Sequence, residues 1–67
     1  MTTFRICLIG QHQPLVVDLP FADVFELGEA SSRATFLAGA LTEPDENGVC
    51  RRVMIATNRI QCAFDAD

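Results

Sequence analysis

Residues 3–9 alternate Phe4, Ile6 and Leu8 against Arg5, Cys7 and Ile9, the period-two pattern of a strand with one firmly apolar face. Residues 10–14 (GQHQP) interrupt that alternation with turn formers. Leu15, Val17 and Leu19 then resume it opposite Val16 and Asp18, so the two runs predict an antiparallel hairpin. Pro20 ends the second strand and suits the first turn of a helix, where a missing N–H costs nothing. Beyond it, Phe21, Val24, Phe25 and Gly28 fall at the i, i+3, i+4, i+7 spacing of a helix face. Asp23 and Glu26 favour the positive end of the helix dipole. A helix over residues 20–32 is predicted, weakened in its second half by Gly28.

The segment 35–42 (TFLAGALT) suits strand or helix by composition, and its neighbours decide for strand. Residues 43–48 (EPDENG) are dense in turn formers, with Asn-Gly favouring positive φ, and residues 49–57 (VCRRVMIAT) are rich in β-formers. A hairpin on that loop pairs Leu41 with Cys50, Ala38 with Val53, Leu37 with Met54 and Phe36 with Ile55. One face then carries Phe36, Ala38, Val53 and Ile55, and the other Leu37, Leu41, Cys50 and Met54. Both faces are partly apolar, so both need cover. A polar break at 57–59 precedes a last alternating strand with Ile60, Cys62 and Phe64, and residues 65–67 read as a solvated tail. The order ββαβββ predicts a single α+β domain over residues 1–67, an antiparallel sheet of about five strands with one helix packed on it.

Size changes the picture. A chain of 67 residues buries only about 60% of the surface that its unfolded form exposes. With 49% hydrophobic residues and one helix to cover a two-faced hairpin, some apolar area is left for a second subunit. The chain is therefore expected to be an interaction module that acts as a homo-oligomer, with Leu37, Leu41 and Met54 as candidate interface residues, and that binds protein or serves as a structural subunit. A net charge of −4 opposes a broad grip on nucleic acid or on an anionic membrane. That charge is uneven, with −5 on residues 1–47 and +1 on residues 48–67. Arg52 and Arg59 are the candidate basic contacts, useful only when symmetry gathers copies of them into a rim.

Candidate chemistry is sparse. Cys7, Cys50, Cys62 and His12 match the count of a Cys₃His zinc site but lack paired Cys-x-x-Cys knuckles. Three cysteines without a pairing pattern read as reduced thiols, and Cys7 and Cys62 are expected buried and metal-free on their strands. His12, Ser31 and Ser32 supply triad ingredients without the nucleophile elbow that presents a serine. Gly10, Gly28, Gly39 and Gly48 match neither the dinucleotide fingerprint nor the P-loop. The expectation is a non-enzymatic chain without cofactor or metal. The apolar run at 4–9 is too short for a signal peptide and Arg5 interrupts it, and no segment is long enough to span a bilayer, so the cytoplasm is the expected location.

Residues 36–47 (FLAGALTEPDEN) resemble the first motif of Sm-like RNA-binding barrels, with Gly39, Leu41, Asp45 and Asn47 in the places of its glycine, leucine, acid and asparagine. Residues 55–60 (IATNRI) are similar in position and apolar spacing to the second motif. The likeness covers fewer than half of the residues. It departs where Asn47 arrives early, where Thr57 stands for a glycine, and where the helix follows two strands instead of leading. What the resemblance implies is an alternative, a small SH3-like or Sm-like barrel with an inserted helix, binding RNA or nucleotide as an oligomer through Arg52 or Arg59.

Overall fold

A computed structural model describes residues 1–66. Strands β1 (Thr2–Leu8) and β2 (Leu15–Leu19) form the first hairpin. Helix α1 (Val24–Arg33) follows, then the second hairpin of β3 (Phe36–Leu41) and β4 (Arg52–Ala56). A 3-10 turn (Thr57–Arg59) leads into β5 (Ile60–Asp65). The five strands make one antiparallel sheet in the order β4-β3-β2-β1-β5, the small α+β fold with one packed helix that the periodicity predicts. Asp65 belongs to β5 and not to a tail, because it pairs with Phe4; Asp67 lies outside the described residues.

The alternation in β1 and β2 sets the core. Phe4, Ile6, Val17 and Leu19 share one face and are fully buried, joined by Leu27 from α1, Leu37 from β3 and Ile55 from β4. The helix begins later than Pro20. Asp23 is its N-cap, with the carboxylate accepting a hydrogen bond from the Glu26 N–H at 2.9 Å, which satisfies one of the unpaired donors of the first turn. Its buried stripe matches the predicted one only in part. Phe21 and Val24 pack on the core together with Leu27, Ala30 and the following Ala34, while Phe25 is 81% exposed and Gly28 is exposed. Two apolar sets compete on this helix, and the short connection from β2 to the Asp23 cap orients it so that Leu27 faces the sheet.

The β3–β4 register differs from the expected one by a single residue. Leu37 pairs with Ile55, Ala38 with Met54, Gly39 with Val53 and Ala40 with Arg52. A slip of one exchanges the faces, so Leu37 lies with Val53 and Ile55 on the core side, and Met54 lies with Phe36 and Ala38 on the outer side. The cause is the connection. The Leu41 N–H bonds to the Arg51 carbonyl at 2.8 Å, and the Asp45 N–H to the Val49 carbonyl at 2.9 Å. Residues 42–44 on one arm therefore face Cys50 alone on the other. Asp45 organises the tip: its Oδ1 accepts from the Asn47 N–H at 2.9 Å and the Val49 N–H at 3.0 Å, and its Oδ2 meets Arg51 Nε at 3.0 Å. Gly48, at φ +77°, closes the turn.

Strands β4 and β5 lie on opposite edges of the sheet yet are joined by three residues. In a flat sheet, edges four strand spacings apart stand about 19 Å from each other, whereas the link from Ala56 to Ile60 spans at most about 14 Å. The registers also displace the end of β4 and the start of β5 toward opposite ends of the strands. The sheet must therefore curl, with α1 and the core side chains inside the curl. Hydrogen bonds fasten the corner. Thr57 Oγ1 donates to the carbonyls of Ala34 (2.7 Å) and Thr35 (3.1 Å), and the Ile9 N–H donates to the Arg59 carbonyl at 2.8 Å. The curl stays open, because β4 and β5 remain sheet edges.

Gly39 sits where the curl is tightest. Only Val17–Leu41 and Asp18–Ala40 pair β2 with β3, and a Cβ on Gly39 would meet Leu19 Cδ2 at 2.5 Å and the Asp18 carbonyl oxygen at 2.6 Å. Gly39→Ala is expected to destabilise the fold by about 1–3 kcal/mol through overpacking. Gly28→Ala, in a helix with nothing near its added methyl, should stabilise it by about 0.5–1 kcal/mol. Urea unfolding of both variants checks the pair.

Asp45 supplies a second test. The Val49 and Asn47 amides hold its carboxyl below the ordinary value of 3.8 against a smaller opposing effect of desolvation, and Arg51 adds a lesser lowering. Because the folded value is the lower one, the stabilisation is present above pH 3.8 and is lost as the pH falls through the depressed value. The amide shifts of Asn47 and Val49 in an NMR titration should move together with a midpoint below 3.8, and should stay flat in Asp45→Asn.

Candidate interaction surface

One sheet face encloses the core, and among the described residues nothing covers the other. The registers define rows across this outer face. Arg52, Ala40, Asp18 and Thr3 form one row, and Val16, Arg5 and Phe64 form another. Met54 lies beside Ala38, and Phe36 beside Ala56. Two apolar patches result. On the β3–β4 side, Phe36 (52% exposed) and Met54 (67%) stand over the small side chains of Ala38 and Ala56. On the β2–β1–β5 side, the partly exposed Val16 and Phe64 flank Arg5. The polar row runs between them, with Asp18 accepting a hydrogen bond from the Thr3 hydroxyl.

The expected interface set is split by this geometry. Met54 stands on the outer face, whereas Leu37 is 5% exposed in the core and Leu41 is half-buried on the core side. The residues that sequence reasoning missed are Phe36, which the slipped register had placed beside Ile55, and Val16 and Phe64. The alternation in β2 did mark Val16 as outward. Arg52 starts β4 on the outer face, and Arg59 ends the 3-10 turn before β5. Arg5, Arg52 and Arg59 have no ion pair among the described residues. Arg51 is held by Asp45 at 3.0 Å, and Arg33 is weakly paired with Glu29 at 3.9 Å across exposed helix.

Cys7 and Cys62 are direct partners across β1 and β5, and all three cysteines are free. Cys62 is exposed, contrary to the expected burial, and Cys7 is half-buried. A β-bulge is responsible. Cys7 pairs with Cys62 but Leu8 with Ile60, so Gln61 is an extra residue that shifts the alternation. Ile60 and Ala63 then pack on the core while Cys62 and Phe64 turn outward. A hydrogen bond with the Cys7 thiol, then partial desolvation and repulsion from Cys7, raise the Cys62 pKa above its ordinary value of 9.0. His12 is exposed on the β1–β2 loop and Cys50 on the β3–β4 connection.

The surface has a shallow, open hollow of about 360 Å³ between the β1–β2 loop and the end of β3, lined by residues including Pro14, Val16, Leu41 and Glu43. Among the described residues that line it, Glu43 alone is ionisable. Among the described residues, no helix is long and apolar enough to cross a membrane.

No protein family matches the chain, and no curated protein or solved structure shows significant similarity to it, so the Sm-like resemblance rests on its own residues.

Proposed function

We propose that the chain is a non-enzymatic interaction module that acts as a homo-oligomer, with the Phe36–Met54 patch of the outer face as its self-contact. An exposed apolar pair carries this reading: Phe36 and Met54 stand out of the outer face, which no element covers among the described residues. Phe and Met are the side-chain types enriched at such contacts, and Ala38 and Ala56 beside them leave room for close approach. Leu37 stabilises the subunit instead.

A second reading is favoured by Arg5, Arg52 and Arg59, which have no ion pair among the described residues. An Sm-like oligomer would repeat these cations by symmetry and hold RNA or nucleotide phosphates. Arg52 and Arg59 stand at opposite ends of the β4–turn segment, so a single subunit does not gather them.

Sedimentation at micromolar concentration should show a dimer or larger species. Met54→Asp places a carboxylate in the contact, which costs several kcal/mol if it is buried unpaired. Because Met54 is exposed in the single subunit, this variant should dissociate into folded monomers with an unchanged circular dichroism spectrum. A wild-type monomer across the micromolar range removes both readings. RNA binding that weakens tenfold or more between about 50 and 200 mM salt favours the second reading over a protein partner.

A further inference from the structure

The geometry points to Cys7 and Cys62 as a site of reversible thiol oxidation, at which a low-molecular-weight disulfide of the glutathione class is reduced and β1 becomes covalently stapled to β5. The two residues are direct partners on the antiparallel ladder, so their side chains leave the sheet on the same face as close neighbours. Farther along, the Ala66 N–H bonds to the Thr3 carbonyl at 3.1 Å. Alternation along the ladder then makes Arg5–Phe64 and Cys7–Cys62 hydrogen-bonded pairs. Such pairs stand about 5.5 Å apart at Cα, inside the range of roughly 4.4–6.8 Å that disulfides span.

Their Cβ atoms stand up to about 5.5 Å apart, wider than the roughly 3.5–4.5 Å of a relaxed disulfide. Closing the bond therefore draws β5 inward, and the bulge beside Cys7 and Leu8 gives the strands slack to do so. A bond made this way is strained and accessible, the kind that thiols reopen. Cys62 is exposed and Cys7 half-buried, so the incoming disulfide reaches Cys62 first. Arg5, two positions from Cys7 on the same face and without an ion partner among the described residues, offers a cation to the carboxylates of glutathione.

The chemistry balances without a cofactor. The Cys62 thiolate attacks one sulfur of the small disulfide, forming a mixed disulfide and expelling one thiolate. The Cys7 thiolate then attacks the Cys62 sulfur and expels the second. Two electrons pass from the protein thiols to the small disulfide, and the two thiol protons end on the released thiolates. The product fastens the last strand to the first and encloses most of the chain in one covalent loop. Cross-linking so long a loop restricts the unfolded ensemble strongly.

The test equilibrates the reduced full chain in glutathione buffers of rising oxidised fraction, traps free thiols by alkylation and maps the peptides by mass spectrometry. A Cys7–Cys62 linked peptide is expected, with Cys50 outside the link. The oxidised form should show a rise in Tm on the order of 10 °C or more, reversed by dithiothreitol. Cys50→Ser should keep both the link and the rise. Cys62→Ser, at an exposed position, should lose both while melting like the reduced parent. The proposal is overturned if Cys62 stops at a glutathione adduct, if the disulfide joins two chains, or if the linked form melts no higher than the reduced one.

Discussion

The short path from β4 to β5 governs this molecule. Two strands at opposite edges of a five-stranded sheet are tied by three residues, and no flat arrangement satisfies that link. Curling is the only solution. It wraps β1, β2, β3 and β4 around Phe4, Ile6, Val17, Leu19, Leu37 and Ile55, and leaves an opening that Leu27 of α1 fills. The absence of a side chain at Gly39 follows from the same constraint, since β3 must press on the backbone of β2 for the curl to tighten. The hydrogen bonds from Thr57 to the start of β3 and from Ile9 to Arg59 hold the corner where the constraint acts.

Enclosing the core in a curl assigns the opposite face to solvent or to a partner. The seven apolar residues buried among the described residues are a small core, and a chain of this size has little surplus stability. The outer face combines two devices with opposite effects. Phe36, Met54, Val16 and Phe64 promote association, while Arg52, Asp18 and Arg5 interrupt them and restrict which surfaces can dock. The edges are managed as well. Strands β4 and β5 are only five and six residues long, and a charged residue opens the one and closes the other, which discourages indiscriminate strand pairing. Association through the face is thus favoured over association through the edges.

Much of the architecture was legible from side-chain period. Phe4, Ile6 and Leu8, and Val17 and Leu19, alternate so cleanly that both strands and their buried faces follow directly, and the dense turn signal at 43–48 resolved β3 as strand. Three features were not legible, each for a local reason. TFLAGALT is apolar on both faces, so period alone could not choose its register. The unequal arms of the Asp45 turn chose it instead. Helix α1 has two apolar stripes, and only the position of its cap selects Leu27 over Phe25. The Gln61 bulge reversed the orientation expected for Cys62, and nothing in IQCAF signals an extra residue. The register slip accounts for the altered candidate set: Leu37 lies in the core, Leu41 is half-buried at the hollow, and Met54 stands on the outer face with Phe36 as its neighbour.

The strand order also dictates a folding schedule. β1, the first strand of this sheet to be synthesised, lies between β2 and β5, so one of its two hydrogen-bonding edges waits for the sheet's last strand. Until β5 arrives, β1 presents unpaired N–H and C=O groups to any other nascent chain, and the bottom of the curl stays unsealed. Contacts between segments so distant in sequence are slow to form because loop closure must precede them. On the ribosome, the hairpins and α1 can assemble early, but the sheet is completed only after residues 60–65 have cleared the exit tunnel. Any delay in that final step prolongs the interval in which a half-paired β1 can template aggregation.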